Sequence, residues 1–129
     1  LMFYKKHFTL SQAQNLLPDL KTKLLKIINL KKILDEKGYD IYKHHFFGGL
    51  GTNGTGKYPQ DLESLIELVN QITKDGIILK GINEGLIDFP HIRNNGEEVF
   101  LCYLYGEEKI LFWHGIQEGF VGRQNLDSL

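Results

Sequence analysis

The chain has 129 residues, 42% of them hydrophobic and 24% charged, with a formal net charge of −1; these values fit a single globular domain, residues 1–129, and exclude a disordered chain. No apolar run approaches the ~20 residues that a membrane span needs, the first residues lack a secretory cleavage pattern, and Cys102 is the single cysteine. The expectation is a cytoplasmic protein with no contact to membranes, no internal disulfide and no multi-cysteine zinc site.

The first element begins at Thr9-Leu10-Ser11-Gln12, whose spacing is that of a capping box and predicts a helix from Leu10. Leu10, Ala13, Leu17, Leu20, Leu24, Ile27, Leu34 and Ile41 then follow steps of three and four, with Lys31 and Gly38 breaking the register. Pro18 lies inside the pattern and predicts a kink or break near Leu17. A second helix is signalled by Pro59, by the acids Asp61 and Glu63, and by the stripe Leu62, Leu65, Ile66, Val69, Ile72; Asp75-Gly76 should end it. Together these predict an antiparallel helical hairpin over about residues 9–75, with a Gly-rich connection from His45 to Lys57. So long an apolar seam needs a partner, either the second helix or another subunit, so a coiled-coil homodimer formed through the helices is one expectation.

After Gly76 the period becomes extended. Ile77 to Leu79, Leu86 to Phe89, Val99 to Tyr105 and Ile110 to Trp113 read as strands, with Asn94-Asn95-Gly96 as a tight hairpin turn and Gly106-Glu107 as another turn. Pro90 cannot donate to a ladder and belongs at an edge or a bulge. The predicted fold class is therefore α+β: a long N-terminal helical hairpin, kinked near Pro18, packed with a three- to four-stranded antiparallel meander over about residues 77–114. Residues 115–129 read as a C-terminal loop.

The near-neutral charge hides an asymmetry, since residues 1–45 hold nine lysines against four carboxylates while residues 46–129 hold six basic residues against twelve acidic ones. A basic helix lying against an acidic neighbour accounts for this. A face for RNA or another polyanion is the alternative, but no aromatic interleaves the lysines to stack on bases.

Two phosphate-binding patterns occur in the Gly-rich connection, Gly49 to Gly54 and Gly51 to Lys57. A helix rather than a strand precedes them, and Tyr58 stands where a metal-binding hydroxyl belongs, so a linker is the better reading. His44 and His45 suit the C-terminal end of the first helix, where the helix dipole favours a cation. Cys102 reads as a small buried hydrophobe.

The C-terminal half carries the chemistry-bearing side chains. With Asn94 to Gly96 as a tight turn, Asp88 lies opposite Cys102 and His91 near Val99, and His114 is expected on the face of His91; a slip of one residue would reverse every such assignment. Asp88, His114 and Glu118 could ligate a divalent metal such as zinc, iron or manganese, or do acid/base work, with Arg123 holding an oxyanion. Asp88 before Phe89-Pro90 equally suits a turn that bonds backbone amides, and Arg123 a plain ion pair.

His7 to Leu10, Leu16 to Leu20, Gly85 to Pro90, Val99 to Cys102, Gly106-Glu107, Trp113-His114 and Glu118 to Gln124, taken in order over nearly the whole chain, resemble the uncharacterised prokaryotic family called domain of unknown function 2203. That resemblance implies a small cytoplasmic protein with no established activity. It directs attention to the polar members of the matching segments: Asp88, Glu107, His114, Glu118, Arg123 and Gln124. The sequence thus leaves three readings open: a binding or assembly module that receives a protein segment or small anion, a metal protein or enzyme, and a polyanion binder.

Overall fold

The computed structural model describes residues 2–49 and 59–129. Both phosphate-loop patterns read in the Gly-rich connection run beyond the described residues. Helix α1, Leu10–Glu36, opens on the expected capping box: the Thr9 hydroxyl accepts from the Gln12 amide at 3.0 Å and the Gln12 side chain accepts from the Thr9 amide at 2.9 Å. The helix runs unbroken through Pro18, which corrects the expected break. Pro18 is exposed, so the Gln14 carbonyl that loses its helical donor, one turn earlier on the same face, can be met by water.

α1 also ends earlier than the apolar stripe. Gly38, at φ 71°, donates to Asp35 and Tyr39 donates to Leu34, the paired bonds of a Schellman stop. Ile41 is buried all the same, in a 3-10 turn over Ile41–Lys43, and His45 lies in a second such turn over His45–Phe47. His44 and His45 therefore do not sit at the end of α1; the His44 ring instead accepts the Phe46 amide at 3.0 Å. Helix α2, Gln60–Thr73, returns antiparallel to α1, with Lys37 Nζ 3.1 Å from Asp61.

Five strands follow rather than three or four: β1 Ile78–Gly81, β2 Leu86–Ile92, β3 Glu98–Leu104, β4 Phe112–Gly115 and β5 Gln124–Asn125. They form an antiparallel sheet in chain order. β5 falls in what the sequence marks as loop, because two exposed polar residues carry no strand periodicity. Pro90 lies past the reach of β1, which pairs with β2 only up to Asp88. Its carbonyl accepts from the Phe8 amide at 2.7 Å, so its ring nitrogen turns to that outer side and no bond to β3 is lost.

Ile87, Phe89, Val99, Leu101, Tyr103 and Trp113 point from one sheet face into a core shared with Leu17, Leu20, Leu24, Ile27, Leu62, Leu65, Val69 and Ile72. Each buried aliphatic side chain contributes about 1.5–3 kcal/mol of burial. The α1 stripe is thus covered from within the chain. Lys31, one of its breaks, is also buried, at 7% exposure, and its Nζ bonds Asp35 at 2.6 Å; the aliphatic stem fills the stripe while the charge is paired one turn on.

Two more lysines of α1 and its C-cap lysine find partners nearby: Lys23 on Asp19, Lys21 on the Glu108 carbonyl, and Lys37 on Asp61. Among the described residues no helix is long and apolar enough to cross a membrane.

Candidate functional site, a buried polar centre on the outer sheet face

Val99 to Tyr103 are all buried, so β3 is covered on both faces and the face turned from the helices has its own interior. Directly paired residues share a face. The β2–β3 register sets Asp88 opposite Cys102 and His91 opposite Val99, as the turn predicts. The β3–β4 register sets Phe100 opposite His114. His114 therefore shares the face of Asp88 and Cys102, not that of His91, correcting the sequence expectation by one residue of register. His91 lies on the helix side, with its ring Nδ1 2.7 Å from the Phe8 carbonyl.

Three chemically distinct side chains meet on that outer face. His114 Nε2 is 3.1 Å from Asp88 Oδ1. One ring nitrogen of His114, one carboxylate oxygen of Asp88 and the Cys102 sulfur all lie within 4.8 Å of one another. Exposure is 1% for Asp88, 0% for Cys102 and 2% for His114. The other imidazole nitrogen, Nδ1, is 2.9 Å from the Gly115 carbonyl. A carbonyl can only accept, so Nδ1 carries a hydrogen and Nε2 is the nitrogen presented to Asp88 and Cys102.

Burial alone would strip the imidazole of its second proton. The bond to Asp88 and the Gly115 carbonyl outweigh it and hold the His114 pKa above its ordinary value. Burial, with Asp88 beside it, pushes the Cys102 thiol up to about 12, against the pull of Arg123. These shifts favour the doubly protonated His114 ring facing Asp88 and keep the Cys102 thiol protonated.

A second layer closes over it. Arg123 makes two bonds to Glu107, Nη2 to Oε2 at 2.6 Å and Nη1 to Oε1 at 3.1 Å, and Nη1 lies 3.9 Å from the Cys102 sulfur. Its guanidinium stands 4.0 Å from the centroid of Phe112 and 4.4 Å from that of Phe120. Glu107 Oε1 accepts the Leu104 amide as well, at 2.7 Å, which fixes the carboxylate for the fork. On the other flank Phe100 packs against both Tyr4 and the His114 ring, with Lys80 over its face.

Of the residues singled out in the sequence, Asp88 and His114 are in the centre and Glu107 and Arg123 form the layer above it. Glu118 is exposed and stands apart from the convergent atoms, its carboxylate lying over Gly115 and Gly122. Gln124 of β5 pairs directly with Trp113 of β4, on the parity opposite to His114, and its Oε1 is 3.4 Å from the Ser128 hydroxyl. Cys102 is the member that sequence reading left as a plain hydrophobe. The Asn94 to Gly96 turn already paired it with Asp88, and that pairing is the signal that could have promoted it.

The fold and the centre together define a small α+β domain that keeps a polar cluster inside the sheet face away from its helices. The chain belongs to the family described as uncharacterized conserved protein DUF2203, whose model matches residues 6–126. No curated protein and no solved structure matches it.

Proposed function

We propose that the protein binds one thiophilic divalent ion, zinc fitting best, through Asp88 Oδ1, Cys102 Sγ and His114 Nε2. The observation that carries this reading is the convergence of one oxygen, one sulfur and one nitrogen donor within 4.8 Å in a buried site. A mixed O, S and N set suits zinc or iron and disfavours magnesium or calcium, which take oxygen. The Gly115 carbonyl on Nδ1 is the outer support that ligating histidines use to fix their tautomer. Binding would release the thiol proton and the Nε2 proton, so affinity should rise with pH. Three protein donors leave the fourth position of a tetrahedral ion to a water or small anion. Burial restricts that position to small species, which favours a structural or storage role over turnover of a large substrate. A reducing cytoplasm would keep Cys102 available as a ligand.

The test is elemental analysis of untagged protein followed by zinc titration of chelator-stripped protein. One equivalent of zinc, a raised Tm, and loss of both in Cys102→Ser and His114→Ala are expected. Apo protein whose Tm does not move with zinc would remove the reading.

A second reading, an assembly module that pairs through its helices, is favoured by the outer side of α1 and α2. There a cleft of about 560 Å³ is bordered by Leu30, Ile33 and Leu68, with Lys23, Lys26 and Glu67 at its rim. A monomeric mass by light scattering across micromolar concentrations would remove self-association through this face.

A further inference from the structure

The segment that follows β4 reaches the polar centre at Cys102, through Arg123 Nη1 at 3.9 Å from the sulfur. This segment turns at Gly115 to Glu118, makes a 3-10 turn over Phe120–Gly122 and returns as β5. Its far end is anchored by β5 pairing, by the Leu126 amide on the Leu111 carbonyl, and by the Trp113 indole on Asn125 and Ser128. Its near part is held differently. The backbone bonds of residues 118, 122 and 123 all go to carbonyls inside the segment, and Gln117 to Val121 are exposed. Arg123 is the side chain that ties this part to the sheet, gripping Glu107 beyond β3 and lying between Phe112 of β4 and Phe120 of the segment.

We propose that Arg123 is a latch: with residues 116–122 it forms a flap over Asp88, Cys102 and His114, and release of its fork on Glu107 opens the path by which small species reach Cys102. This reading deepens the ion-site proposal, since it names the step that admits or releases the ion. Its test needs no metal. A segment held by few contacts opens on its own, ahead of global unfolding. The latch pair is at the rim of the interior, with the Arg123 and Glu107 side chains 11% and 17% exposed, which is where such an opening would start.

The experiment measures alkylation of Cys102 by iodoacetamide in chelator-stripped, folded protein at pH 8. The sulfur displaces iodide to form a carbon–sulfur bond, and the thiol proton passes to buffer. Arg123→Ala and Glu107→Gln are expected to raise the rate at least ~10-fold, with Arg123→Lys in between, because lysine keeps the charge but not the fork or the stack.

The direction decides the matter. A cation that only steadied the sulfur would promote the thiolate, so its removal would slow alkylation; an unchanged or slower rate in all three variants overturns the latch. Thr9→Ala weakens α1 far from the flap. If it accelerates alkylation as much as Arg123→Ala does, the route is global unfolding and the latch is again overturned. Faster alkylation in a protein that takes up no zinc would retain the latch and remove the ion.

Discussion

Replacing Asp88 by Asn keeps the shape of the side chain and removes the charge that faces His114 at 3.1 Å, where the side chains are 2% and 3% exposed. Removing one partner of a buried pair leaves the other uncompensated and destabilises by about 3–5 kcal/mol. Total stabilities are about 5–15 kcal/mol, so the loss is a large share. One kcal/mol shifts Tm by roughly 3–5 °C for a chain of this length, which gives a fall of roughly 10–20 °C near pH 6.

The pH dependence carries a sharper signature. The folded pKa of His114 is raised, so its contribution is full below the unfolded value of about 6.5 and is lost as pH rises through the folded value. In Asp88→Asn, burial without a counter-charge should depress the His114 pKa instead. The contribution of this group then reverses and falls as pH drops. Urea titrations followed by circular dichroism at pH 5.5, 7 and 8, with a chelator present to exclude metal linkage, measure both effects. A loss under about 1 kcal/mol that does not vary with pH would refute the buried ion pair.

Two further outcomes are expected. The Glu98 carboxylate accepts from the Phe3 amide, the Tyr4 amide and His7 Nε2 at 2.7, 3.1 and 2.6 Å. Burial opposes its ionisation, yet these bonds prevail and hold its pKa below the ordinary carboxylate value, so its stability contribution is present above about pH 4.5 and lost as pH falls through the folded value. Glu98→Gln should therefore lower stability by about 1.5–3 kcal/mol at pH 7 and flatten the acid limb of a Tm-against-pH curve; curves that stay parallel would contradict this. With Lys21, Lys23, Lys31 and Lys37 engaged within the chain, the protein is expected to pass a heparin column at low salt, and retention that falls steeply with salt would restore the polyanion reading.

Features whose causes lie within a few residues were legible in the sequence. The Thr9 and Gln12 side chains start α1 because each reaches a backbone amide three residues away. Gly96, at φ 89°, and the Asn95 side chain bonding the Glu97 amide close the β2–β3 turn, and that turn set Asp88 opposite Cys102 without knowledge of the rest of the fold. The family resemblance, rather than any local rule, placed Asp88, Glu107, His114 and Arg123, together with Glu118 and Gln124, among the residues to test.

What the tertiary structure alone decided depends on groups far apart in the chain. The β3–β4 connection is an irregular stretch whose length imposes no register, and one residue of slip moves a side chain through the sheet, so the face of His114 could not be read locally. The Lys31 position looked like a break until Asp35 and the packed stripe enclosed it. β5 exists because β4 offers it a ladder, not because Gln124 and Asn125 favour a strand. Cys102 became part of a centre only when three strands and the Arg123 segment closed around it, because burial and donor geometry belong to the assembled fold and not to any stretch of chain.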